Sequence, residues 1–129
     1  MTLDMKLEVV PVPVTDVERA KAFYVDQLGF NADFDDTRTP GVRLCQLTPP
    51  GSACSIFISA GLDEFAGMVP GSYKSLTLVV QSVSAVRDLL LSRGVSVGDI
   101  ITYPRGIKFA HFADPDGNTW ALQEIPPGV

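Results

Sequence analysis

Hydrophobic positions along the chain switch between two periods. From Leu7 to Val14 they alternate, with Val10, Val12 and Val14 on one side and Val9, Pro11 and Pro13 on the other, which predicts a strand. Proline cannot donate to a ladder, so this strand is expected at a sheet edge or a bulge. From Thr15 the period lengthens, and Val17, Ala20, Phe23, Tyr24 and Leu28 recur at helical spacing. Thr15 and Glu18 have the spacing of a capping box, and Gly29 stands where a helix-ending glycine belongs. Short strand-like runs follow at Ala32–Phe34, Val42–Leu47 and Ser55–Ser59.

The second half repeats this layout. Ser75–Val80 predicts a strand, Ser82 or Ser84 a helix cap, and Gly94 the stop. Val83, Val86, Leu89 and Leu90 form the helical stripe. Val14 aligns with Val80, Val17 with Val83, Ala20 with Val86 and Phe23 with Leu89, about half a chain apart. Strand-like runs again follow, at Ile100–Tyr103, Ile107–Phe112 and Thr119–Gln123. Each half reads β-α-β-β-β, and a repeat of this kind fixes architecture better than any single motif. The expectation is an α+β fold in one domain, with module one at 5–60, a linker at 61–72 and module two at 73–125. The linker carries Asp63, Glu64, Gly67, Pro70 and Gly71 and little periodicity.

The last two runs flank Asp114-Pro115-Asp116-Gly117-Asn118. Pro115 suits the second position of a turn, and Gly and Asn tolerate positive φ, so a hairpin is expected. On its second strand Trp120 and Leu122 share one face, built for packing, while Thr119, Ala121 and Gln123 share the other.

At 129 residues and 46% hydrophobic, the chain is long and apolar enough for a packed core. No apolar run reaches the roughly 18–20 residues that span a bilayer. Met1–Lys6 lacks the layout of a signal peptide. A cytoplasmic protein without membrane partners is expected. The net charge of −5 argues against nucleic acid. It suits a cationic ligand, although acidity also serves solubility alone. Cys45 and Cys54 flank the turn Thr48-Pro49-Pro50-Gly51-Ser52 and could be cross-strand neighbours. Two reduced, half-buried thiols are the expectation for a cytoplasmic chain. No nucleophile motif, phosphate loop or dinucleotide fingerprint occurs.

Val12-Pro13-Val14-Thr15-Asp16 leading to Ala22-Phe23-Tyr24 and Leu28-Gly29-Phe30, the second strand–helix unit, and Asp114-Pro115-Asp116-Gly117-Asn118 together resemble the vicinal oxygen chelate superfamily. That superfamily holds glyoxalase I, the bleomycin-resistance proteins and the extradiol dioxygenases. The resemblance covers nearly the whole chain. It implies tandem βαβββ modules whose sheets curl into a ligand-holding cup with helices outside. Its metal enzymes carry His or Gln in the first strand, a matching His in the second module, and Glu on the last strand of each module. Those positions correspond here to Val9, to Ser75 or a neighbour, to Ser55, Phe57 or Ser59, and to Ala121. Valine and alanine offer no donor, and the chain has a single histidine. No metal and no cofactor are therefore expected.

Strand alternation nominates Val9, Phe57, Ser75, Thr77, Phe109, His111, Ala121 and Gln123 as cup-lining ligand contacts. Arg43 or Gln46 could join them. Trp120 is expected on the helix side as packing. Phe57 and Phe109 serve equally as core, and a lone His on an apolar strand is more often structural. The resemblance implies a metal-independent, bleomycin-resistance-like protein that confers antibiotic resistance by sequestering an apolar, aromatic or cationic small molecule. The alternatives are a metal-free lyase, isomerase, hydrolase or oxygenase-like enzyme with His111 as acid–base, and a domain that acts by association alone. Exposed sheet edges, and the habit of small relatives, imply a homodimer.

Overall fold

The computed structural model describes residues 1–129 as two compact units, Met1–Pro70 and Gly71–Val129. Each is a βαβββ module with one four-stranded sheet.

In the first unit, β1 (Val9–Pro11) pairs parallel with β4 (Ser55–Ala60), which pairs antiparallel with β3 (Arg43–Thr48) and through it with β2 (Asn31–Asp36). Pro11 finds its expected place, because β1 is an edge strand. It is shorter than its apolar pattern, and Pro13, which is buried, lies beyond its end. Helix α1 (Val17–Ala22) packs on β3 and β4. Its N-cap is Asp16, whose Oδ1 accepts from the Arg19 amide at 3.2 Å. Thr15 was the expected cap. Both side chains suit the role, and only the backbone at Asp16, extended at φ −139°, decides between them. The helix then widens to a π-turn over Phe23–Gln27, with the Leu28 amide reaching the Phe23 carbonyl at 3.1 Å. It stops at Gly29, φ 81°, as the sequence predicts. Val17, Ala20, Phe23 and Tyr24 are buried, as are Cys45, Leu47, Ile56 and Ile58 on the sheet.

In the second unit, β5 (Leu76–Val79) pairs parallel with β8 (Thr119–Glu124), followed by β7 (Lys108–Ala113) and the short β6 (Ile101–Thr102). Helix α2 (Val83–Ser92) packs on β7 and β8. Ser82 caps it through Oγ, and Glu124 Oε1 accepts from the Val83 amide at 2.9 Å, so the end of β8 also holds the helix N-terminus. Trp120 is on the packing side as expected, 3% exposed and stacked on Phe112 at 6.3 Å between ring centroids.

The Asp114–Asn118 hairpin turn does more than reverse the chain. The buried Asp114 carboxylate accepts from the Asp116 and Asn118 amides and from Asn118 Nδ2. Asn118 Oδ1 accepts from the Tyr73 amide at 3.2 Å, and Thr119 Oγ1 from the Ser75 amide at 2.8 Å. The turn thus ties the entrance of β5 to β8. Gly71 lies so close that an added Cβ would meet the Asp116 carbonyl oxygen at 2.3 Å.

Two further expectations change. Cys45 opposes Ile58 rather than Cys54, because the register places Cys54 beyond the start of β4. Both thiols are free, and Cys45 is fully buried. Ser75 is not a strand residue. It precedes β5 with φ 56°, held there by Thr119.

Candidate functional site

Each sheet has one face against its helix and one open. On the second sheet, register sets two rows on the open face. Thr77, Ala121 and His111 align across β5, β8 and β7. Val79, Gln123, Phe109 and Ile101 align across all four strands. Thr77 and His111 are exposed, Phe109 and Gln123 half-buried, and Ala121 is closed over at 1% exposure, so it forms floor rather than contact surface. Phe109 sits at the centre of an aromatic strip. His111 lies nearly parallel to it, 6.2 Å away at 15°, and Tyr103 meets it edge-on at 5.6 Å. Such a strip offers π-faces to a planar ligand, with the Gln123 amide and Thr77 hydroxyl for its polar edge. The ring contact of His111 is Phe109, not a carboxylate that could orient it as a catalytic base.

On the first sheet, Pro11, Phe57, Gln46 and Phe34 form a row across all four strands, and Val9 opposes Ser55. Gln46, not Arg43, is the hairpin residue that faces open. Arg43 pairs with Glu18 and Asp35 on the other side, each at 2.7 Å. Phe57 is half-buried against Phe65, with centroids 5.9 Å apart. Below them runs a polar network. Asp33 accepts from Asn31 Nδ2 at 2.8 Å, from Gln46 Nε2 at 3.2 Å and from the Thr48 hydroxyl, and Thr48 Oγ1 is 2.6 Å from Ser55 Oγ. The Thr48 and Asn31 hydrogen bonds hold the Asp33 carboxyl below the usual carboxylate range.

The structure therefore gathers Val9 and Phe57 on one open face, and Thr77, Phe109, His111, Ala121 and Gln123 on another. Ser75 stands outside the strand register. Sequence reasoning missed Ile101 and the place of Tyr103 in the aromatic strip, although continuing the alternation from Ile101 to Tyr103 would have found the ring. It also missed Asp33, which no sequence signal marks. An open hollow of about 310 Å³ lined by Phe34, Asp35, Asp36, Thr37 and Arg38 involves none of the nominated residues. At the positions where metal enzymes of this pattern carry donors stand the hydrocarbon side chains of Val9 and Ala121. No three His, Cys, Asp or Glu side chains are grouped to hold a metal ion. The residues present do not fit a metal centre.

Residues 6–122 match the family model described as the glyoxalase/bleomycin resistance protein/dioxygenase superfamily. A glyoxylase-like domain-containing protein from Didymella fabae is 30% identical over 98% of both chains. The crystal structure of TnmS3, an antibiotic binding protein from Streptomyces sp. CB03234, is similar over 98% of this chain and 100% of its own, with 33% identity and a TM-score of 0.84. A glyoxalase/bleomycin resistance protein from the same Streptomyces is 37% identical over 91% of this chain and 98% of its own, with a TM-score of 0.76. No helix is long and apolar enough to cross a membrane.

Proposed function

We propose that this chain, which belongs to the glyoxalase/bleomycin resistance protein/dioxygenase superfamily, is a metal-independent binding protein that sequesters an apolar or aromatic small molecule on the open faces of its sheets. The observation that carries it is the Tyr103–Phe109–His111 strip beside Ala121, where a metal donor is replaced by a methyl group and flat apolar surface is left facing outward. Stacking a ring on that strip gains about 25 cal/mol per Å² of apolar area buried. Gln123 and Thr77 supply the few polar contacts that orient a ligand. The likeness to an antibiotic binding protein supports a sequestering role, since sequestration needs affinity and no catalytic group.

The protein acts as a homodimer in the cytoplasm. Edge strands β1, β2, β5 and β6 leave ladder groups that a second chain would cover, and two free thiols suit a reducing compartment. Native mass spectrometry of the freshly purified protein tests the reading. A retained organic molecule, no transition metal and a mass of two chains are the expected result. About one zinc, iron, nickel or manganese per chain, or His111-dependent turnover of the retained molecule, would replace it with an enzyme.

A further inference from the structure

The two open faces are not chemically alike. The second carries aromatic rings, an amide and a hydroxyl, whereas the first carries a carboxylate. In β2 the register shifts between Ala32, opposite Leu47, and Phe34, opposite Gln46, so Asp33 is the extra residue of a bulge. A bulge places two successive residues on nearly the same side. It brings the Asp33 carboxylate to Gln46 and Thr48 on the open face, next to Phe34.

Every donor to Asp33 is neutral: Asn31, Gln46 and Thr48, with the Ser55 hydroxyl beside them. Its neighbours on the strand differ. Asp35 is paired with Arg43 and Lys21, and Asp36 with Arg38. Neutral donors stabilise a carboxylate without cancelling its charge. A fixed negative charge without a cationic partner therefore stands on the same face as the apolar surface of Phe34, 43% exposed, and the half-buried Phe57 and Val9.

We infer that the open face of the first sheet binds an organic cation, a protonated amine on an apolar or aromatic body, with Asp33 as its counter-charge. Granted that the open faces are ligand surfaces, this assigns the ligand's charge. A bare divalent cation fits poorly, because it takes six or more oxygens where one carboxylate stands among amide and hydroxyl groups. An ammonium group on an apolar body matches both halves of the face, and the net charge of −5 favours its approach.

Fluorescence titration with aminomethyl-anthracene, protonated at neutral pH, and with the uncharged hydroxymethyl-anthracene tests it. The wild type should bind the amine about 3–10-fold more tightly at low salt, with the preference shrinking as salt is added. Asp33→Asn should bind both compounds alike at the alcohol's affinity, and Asp33→Glu should keep a preference. Circular dichroism establishes that D33N is folded. Asp33→Ser is a second uncharged variant for the same comparison. Equal wild-type affinity for the two compounds, or a preference that survives in the uncharged variants, would overturn the assignment of charge while leaving the faces as ligand surfaces. Binding of neither compound to the wild type would overturn both.

Discussion

Replacing Asn118 should cost more than any change to the open faces. Asn118 is fully buried, and its side chain joins two parts of the second unit by donating to Asp114 and accepting from the Tyr73 amide. Asn118→Ala removes both bonds, one of them to a carboxylate that is only 5% exposed. A neutral hydrogen bond is worth about 1 kcal/mol and one to a charged group about 1.5–3 kcal/mol. With the small cavity added, a loss of about 3–5 kcal/mol is expected. Asn118→Asp keeps the acceptor for Tyr73 but sets a second carboxyl 2.9 Å from the Asp114 oxygen. Two like charges there disfavour joint ionisation, so the introduced carboxyl takes up a proton above its unfolded pKa. A group with a raised folded pKa contributes stability that is present at low pH and lost as pH rises. Asn118→Asp should therefore match the alanine variant near neutral pH and recover part of the loss as pH falls through the carboxylate range, where Asn118→Ala should not. Urea unfolding of all three proteins across that range measures this. Variants within about 0.5 kcal/mol of wild type, or an Asn118→Asp deficit that ignores pH, would show that the turn does not tie β5 to β8.

Gly71→Ala should lower the melting temperature by several degrees, about 2–3 kcal/mol, because its φ of 82° and the Asp116 carbonyl oxygen both exclude a side chain. A maleimide should label Cys54 in the folded protein and Cys45 only on unfolding, since burial closes off the Cys45 thiol and raises its pKa; mass spectrometry of the labelled peptides reads the order. Asp35, hydrogen-bonded to Arg43 and Lys21, has its carboxyl held well below the ordinary range. Its stabilisation is thus present at neutral pH and lost on acidification, and Asp35→Asn should cost about 1 kcal/mol at neutral pH and almost nothing in acid, by thermal melts at both.

The repeated apolar spacing made the architecture legible. Val17, Ala20, Phe23 and Tyr24 mark α1, Gly29 its end, and Trp120 against Ala121 the two faces of β8. Small shifts in backbone path were not legible. The bulge at Asp33 is a register event between strands, and nothing in Asn31–Asp36 announces it. The π-turn at Phe23–Gln27 keeps the helical apolar pattern. Parity within β3 depends on its partners, so Arg43 and Gln46 could not be told apart until β2 and β4 were in place. Ser75 looked like a strand residue because its left-handed backbone is imposed by Thr119, more than forty residues away. Likewise the Cys45 register is set by Ile58 across the hairpin.

The central claim, that the open faces bind a small molecule without a metal, is tested most directly by isothermal calorimetry with planar aromatic compounds on metal-free wild type, Phe109→Ala and His111→Ala. Binding to the wild type should persist in chelator. Phe109→Ala should lose about 1–2 kcal/mol for the apolar area removed, and His111→Ala a similar amount for the stacking surface removed. Hits that bind both variants as well as the wild type, or only after metal is added, would contradict the account.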